Sequence, residues 1–232
     1  MIRLLRSTNR AYVRDGAMKM WKTFDPAMQA DPVHRGFRTM ESLNEIVLPP
    51  ETGFRLNLDE NHEVVSYVRE GGLLVRNSPH GDALLGPGFF QCGSTHPWMT
   101  TQVPKTSPQQ ATHLFLSSMK SGPKELDSSY EHKRFPFADR QGKLRLIASP
   151  NGEPASLRSR MDVRLYSSLL EKGSHLVHEL HPGRGVWLQV VEGRIQLIDK
   201  TLDTGDGASI EDELAVSFRA QEDSEILLFD LA

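Results

Sequence analysis

The chain carries its own signature twice, and this repetition limits its fold more than any other feature. VREGGLLV at 68–75 and VVEGRIQL at 190–197 both read as strand, Glu-Gly turn, strand, with Gly71 and Gly193 122 residues apart. An echo follows each, LLGPGFF at 84–90 and DTGDGASI at 203–210, whose Gly88 and Gly207 are 119 apart. Two similar offsets indicate one β-unit present twice. Strand patterns dominate elsewhere. Phe54, Leu56 and Leu58 alternate with Arg55, Asn57 and Asp59, the period-two pattern of a strand with one apolar face. Runs 64–68 and 186–191 are β-rich and closed by Glu-Gly, while THLFLSS (112–118) and SEILLFDL (224–231) read as final strands of the two halves. Pro87-Gly88 and Asp206-Gly207 are turn dipeptides whose glycines suit positive φ. VRLYSSLLE (163–171) passes for a helix by periodicity but sits where a strand is expected. The fold class is therefore all-β, two tandem barrels: one over 1–122, a polar linker over 123–142, and a second over 143–232.

Composition narrows the function classes. A length of 232 residues, 38% hydrophobic and 25% charged, suits two soluble cores. A net charge of −3 gives no support to a nucleic-acid or membrane partner. The basic residues Lys133, Arg134, Arg140, Lys143, Arg145, Arg158, Arg160 and Arg164 are spread out and read as a solvated surface between the halves. No apolar run is long enough to span a bilayer, and MIRLLRSTNRAYVRDG lacks the continuous apolar stretch of a signal peptide. One cysteine, Cys92, cannot form an internal disulfide, so a cytoplasmic location is expected. Its neighbours Gln91, Gly93 and Ser94 bring no cation, so Cys92 reads as a packed thiol. The alternative, a redox sensor, requires exposure and a lowered pKa.

A strand ending in an acidic-Gly turn, followed by a Pro-Gly turn, resembles the cupin barrel. Trp21-Lys22-Thr23-Phe24, Asp31-Pro32, Gly36-Phe37 and Leu43-Asn44-Glu45 resemble the N-terminal block of the pirin family. Gly53-Phe54, Glu63, Gly71, Pro87-Gly88 and Gln91 continue that pattern in order, and Val186-Trp187-Leu188-Gln189-Val190-Val191, Asp206-Gly207 and Leu227-Leu228-Phe229-Asp230-Leu231 extend it through the second half. The resemblance implies a bicupin of the bacterial pirin branch, with two tandem cupin, jelly-roll-like barrels.

It also implies a metal centre. In the family the N-terminal barrel holds iron through an H-x-H and an H-x-E, and members are described as having quercetin dioxygenase-like activity. Carried onto this chain, the H-x-H falls on Asn57 and Asp59, and the H-x-E on Thr101 and Val103. Neutral imidazole suits iron; an amide, a hydroxyl and an isopropyl group do not. Asp59, with Glu63 further along, retains carboxylate, and these two with Asn57 offer at most a weak hard-ion site through water. Rebuilding a site from His96, Asp59 and Glu63 is the second reading. His62 is expected on the opposite face from Asn57 and Asp59. His175, His178 and His181 alternate faces on a strand and read as surface or packed side chains. The sequence thus points to a non-enzymatic small-ligand-binding or regulatory bicupin centred on Asn57, Asp59, Glu63, Thr101 and Val103, with no metal cofactor. Its expected partner is a small organic molecule or another protein, and its expected state a monomer. A dioxygenase with a rebuilt metal site and a Cys92 redox sensor are the alternatives.

Overall fold

The computed structural model describes residues 1–25, 35–50, 52, 62–78, 81–94, 111–120 and 129–232. These form two compact units. One comprises Met1–Arg10, Pro136–Ser156 and Asp162–Ala232; the other, called the N-terminal unit below, comprises Ala11–Phe135 and Leu157–Met161. The chain starts with β1 (Ile2–Leu5), in the C-terminal unit. The N-terminal unit then contributes β2 (Ala11–Asp15), β3 (Met18–Lys22), β4 (Met40–Leu48), β5 (His62–Glu70), β6 (Leu73–Ser78), β7 (Gly81–Leu85), β8 (Phe89–Ser94), β9 (Thr112–Lys120) and β10 (Tyr130–Arg134). A single helical turn, α1 (Phe137–Arg140), leads to β11 (Arg145–Ser149), after which β12 (Leu157–Arg158) belongs again to the N-terminal unit. The C-terminal unit is completed by β13 (Val163–Leu170), β14 (His175–Glu179), β15 (Gly185–Glu192), β16 (Arg194–Leu197), β17 (Lys200–Asp203), β18 (Gly207–Ile210), β19 (Ala215–Ala220) and β20 (Ser224–Leu231).

In the N-terminal unit a sheet in the order β10-β8-β5-β9-β4-β3-β2 accompanies the β6–β7 hairpin. Ile46, Leu48, Val68, Leu114 and Leu116 of the large sheet pack with Leu73, Val75 and Leu85 of the hairpin. Successive side chains on a strand point to opposite faces, so these residues define an inner face. Its reverse is also buried. Tyr67 stacks on Phe90 with ring centroids 4.3 Å apart, and Phe90 meets Phe135 edge-on. Burial on both sides explains why β5 reads as a near-continuous apolar run with no polar alternation.

In the C-terminal unit β1-β18-β15-β20-β13-β11 run in order, beside a second sheet β14-β19-β16-β17. Val186, Leu188, Ile195, Leu197, Val216, Phe218, Ile226 and Leu228 make its core. VRLYSSLLE is a strand over Val163–Leu170, since its pairing with β20 outweighs its weak helical periodicity. Among the described residues no helix is long and apolar enough to cross a membrane.

Two boundary readings and one surface reading change. The first ten residues join the C-terminal unit, because β1 adds to the edge of β18 with Leu4 opposite Ala208; such a long-range pairing leaves no local trace. Tyr130–Arg134, within the supposed linker, is a strand paired with β8, and α1 follows it. The basic stretch is not uniformly solvated: Arg140 is fully buried, its Nη1 2.9 Å from Glu225 Oε1 and donating to Ser167 Oγ at 3.1 Å.

The duplication holds at the level of hydrogen bonds. Gly71 and Gly193 close β5 and β15 with φ of 76° and 87°. A Cβ on Gly71 would lie 2.5 Å from Ala111 O, and one on Gly193 would meet Asp223 O, so both turns require glycine. The second echo is two residues off. Gly88 N–H donates to Val68 O at 3.0 Å and Gly205 N–H to Val190 O at 2.9 Å, so the counterpart of Gly88 is Gly205. Gly205 has φ 83°, whereas Gly207 lies in β18 beneath the Trp187 ring, where a Cβ has no room.

Candidate active site region of the N-terminal unit

The inner face of the large sheet is apolar at one end and polar at the other. Two residues along each strand from its core contacts stand Lys22, Asn44, Leu116, Ser66, Gln91 and His132. They form a single row: Lys22 opposite Asn44, Asn44 opposite Leu116, Leu116 opposite Ser66, Ser66 opposite Gln91 and Gln91 opposite His132. Parity places them on the core side, because Met20, Ile46, Leu114, Val68, Phe89 and Tyr130 are core contacts on those strands. Ser66 is 2% exposed, Gln91 6% and Asn44 8%. Tyr130 OH donates to Gln91 Oε1 at 3.0 Å, and burial pushes the phenol up to about 12. In the next row Ser42 Oγ and Ser118 Oγ share a 2.6 Å hydrogen bond. Lys22 at the row's end pairs with Asp25 at 3.2 Å. Among the described residues, Ser66 Oγ, Asn44 Oδ1 and His132 Nδ1 are buried with no hydrogen-bond partner.

Of the residues expected to form the site, Asn57, Asp59, Thr101, Val103 and His96 lie outside the described residues. Glu63 is described, and it does not face inward. It is fully buried on the reverse of Val64, where one carboxylate oxygen accepts the Ser159 hydroxyl and the other the Arg160 backbone N–H at 2.6 Å. The Cys92 thiol donates to the same carboxylate. Burial raises the Glu63 carboxyl above its ordinary value despite these donors. The reading of Glu63 as an inward ligand is thereby corrected. Parity can be counted only within β5, which begins at His62, and there His62 shares the face of Val64 and Val68. His62 Nε2 lies 2.9 Å from Glu41 Oε2. Cys92 is buried, and desolvation followed by the Glu63 charge pushes its thiol well above the ordinary range, the opposite of what a redox sensor requires.

In the C-terminal unit the histidines divide as strand alternation requires. His175 is exposed and 2.8 Å from Ser217 Oγ, His181 is exposed, and His178 is buried with Nε2 2.9 Å from Asp230 Oδ2. Arg184 also donates to Asp230. Local pattern concealed both this cluster and the Ser159–Arg160 contribution, since each joins residues far apart in sequence. The inner polar row left a faint sign, a serine and a glutamine within the apolar runs of β5 and β8.

Two β-barrels of this construction in one chain make the protein a bicupin. A family model described as the quercetinase C-terminal cupin domain matches residues 146–231. Over 231 residues the chain is 32% identical to "Quercetin 2,3-dioxygenase" of Escherichia coli (strain K12), covering 100% of this chain and 99% of that one. A "Pirin-like protein" of Caulobacter vibrioides is 27% identical, with 94% of each chain covered. Among solved structures, the bacterial pirin YhhW of Escherichia coli in complex with nickel(II) superposes with a TM-score of 0.87 at 30% identity, covering 100% of this chain and 99% of that one. The chain belongs to the pirin family.

Proposed function

We propose that this bicupin binds a small organic ligand within its N-terminal unit and does not carry out the family's metal-dependent oxygenation. One observation carries the reading: the four positions matching the family's three histidines and glutamate are Asn57, Asp59, Thr101 and Val103. Their donor chemistry does not fit iron or nickel. An amide oxygen is a weak donor to such ions, a neutral hydroxyl weaker, and a valine side chain has no lone pair. A single carboxylate falls short of the three protein ligands usual for a catalytic metal.

A second reading has a specific basis, the dioxygenase name of the 32% identical relative. It needs a rebuilt set such as His96, Asp59 and Glu63. Engagement of Glu63 with Ser159, Arg160 and Cys92 on the reverse of the inner face argues against that set.

The test is elemental analysis of protein expressed with added iron or nickel, together with quercetin turnover under oxygen. Substoichiometric metal and no turnover above buffer are expected. Stoichiometric metal accompanied by turnover that Asp59→Ala abolishes would establish the second reading instead.

A further inference from the structure

We propose that Ser66, Asn44 and His132 form the contact row for a neutral, hydroxyl-bearing ligand on the inner face of the N-terminal unit. The proposal rests on the ligand-binding reading above and gives it residues and a ligand class.

Buried polar groups in folded proteins are nearly always hydrogen-bonded, because stripping water from them without replacement destabilises the fold. Here Ser66 Oγ, Asn44 Oδ1 and His132 Nδ1 are all buried without a partner among the described residues. Three such atoms scattered through a structure would mean little. These share one face and one register row, through Leu116 on one side of Ser66 and Gln91 on the other. Ser66 and Asn44 are more than nine-tenths buried.

The chemistry of the row selects its ligand. Asn44 Oδ1 accepts only, whereas a serine hydroxyl and an imidazole nitrogen can donate or accept. Hydroxyl groups satisfy all three. No carboxylate or guanidinium stands in the row, and the lysine at its end is already paired with Asp25. A charged ligand would therefore leave water without a compensating charge, which disfavours anions and cations alike. Neighbouring strands are about 4.8 Å apart, so Ser66 stands roughly 10 Å of backbone spacing from Asn44 and from His132. Leu116 lies between Ser66 and Asn44, matching a compound with hydroxyls on either side of an apolar ring.

The experiment uses the full chain with 1,4-benzenedimethanol and 1,4-cyclohexanedimethanol as neutral probes, and benzoate and benzylamine as charged counterparts, with binding followed by protein-observed NMR titration. Binding of at least one neutral probe, and no saturable binding of the charged pair, is expected. Ser66→Ala and Asn44→Leu should each weaken that binding about tenfold, as loss of one well-made hydrogen bond does. The same two variants should melt a few degrees higher than wild type, since each deletes an unsatisfied buried group. A hydroxyl or amide with a purely structural role would shift melting downward. Wild-type protein that binds neither neutral probe, or prefers a charged one, overturns the proposal. Variants that melt lower with probe affinity unchanged overturn it too. Elemental analysis of the same samples keeps the two readings apart: stoichiometric metal with Ser66-dependent binding defeats the metal-free reading and leaves the row standing. Metal-free protein indifferent to Ser66→Ala does the reverse.

Discussion

Thr112 and Ser224 clasp the equivalent turn residue, one in each unit. Thr112 Oγ1 accepts the Gly72 N–H at 3.1 Å and donates to Gly72 O at 2.7 Å, while Ser224 Oγ accepts the Arg194 N–H at 3.1 Å and shares its one proton between Glu222 O at 2.7 Å and Arg194 O at 3.1 Å. Each opens the strand that pairs with the one ending in Glu-Gly, and each clasps the residue directly after that glycine. The clasp explains why the glycine cannot be replaced, since its α-carbon is pressed against the backbone of the clasping strand.

Deleting the Thr112 clasp strips a side-chain partner from both the Gly72 N–H and C=O in a buried turn, whereas deleting the Ser224 clasp strips only the Arg194 N–H, because Arg194 O also accepts the Gln221 N–H at 2.8 Å. Thr112→Val should lower unfolding free energy by about 1–3 kcal/mol and Ser224→Ala by less, about 1 kcal/mol, with Thr112→Ser close to wild type. Urea denaturation checks this. A loss in Ser224→Ala as large as that in Thr112→Val would contradict this difference.

Glu63 predicts a pH dependence. Its carboxyl is raised by burial, so the folded state favours the protonated form. The stability this confers is full below the ordinary 4.5 and is lost as pH rises through the higher folded value. Glu63→Gln keeps an acceptor for the Arg160 N–H and has no proton to lose. Relative to wild type it should therefore gain in urea midpoint as pH is raised from about 4 to 8. Parallel midpoint curves for the two proteins would remove this account of Glu63.

Much of the fold was legible because strands and Glu-Gly turns are local. The run 64–68 and the turn at Gly71 require only neighbours along the chain to be recognised. What escaped depended on partners distant in sequence: β1 on β18, Arg140 on Glu225, Glu63 on Ser159. The Glu63 error has a specific cause. Its parity was counted from Asn57, which lies outside the described residues, whereas within β5 Glu63 stands on the face opposite Val64. The inner polar row was invisible for a related reason, since Asn44, Ser66 and His132 become neighbours only through strand register. The departure expected at Asn57, Asp59, Thr101 and Val103 comes from an alignment of motifs alone, and those positions lie outside the described residues.

Cys92 should be inert in the folded protein. Its burial and the adjacent Glu63 carboxyl both oppose the thiolate, the reactive species. With an aromatic disulfide reagent at pH 8 the native thiol should react orders of magnitude more slowly than the same thiol in urea. Reaction at the rate of a free cysteine would restore the redox-sensor reading.

The Asp230 cluster should set the acid limit of the C-terminal unit. Burial alone would raise this carboxyl, but hydrogen bonds from His178 and Arg184, together with their charge, hold it below the ordinary 3.8. A lowered carboxyl contributes stability that is present above the unfolded value and lost as pH falls through the folded one. Wild type should therefore lose stability on acidification below about pH 4, while Asp230→Asn should lose less of its own over that interval. At neutral pH the same variant should be less stable by about 3 kcal/mol, since Arg184 is left with Asp162 alone as a charged partner and His178 loses its carboxylate. The two effects have opposite signs along the pH axis, so the variant and wild-type denaturation midpoints should converge in acid. A constant gap between them from neutral pH to pH 3 would show that Asp230 acts through packing and not through its charge.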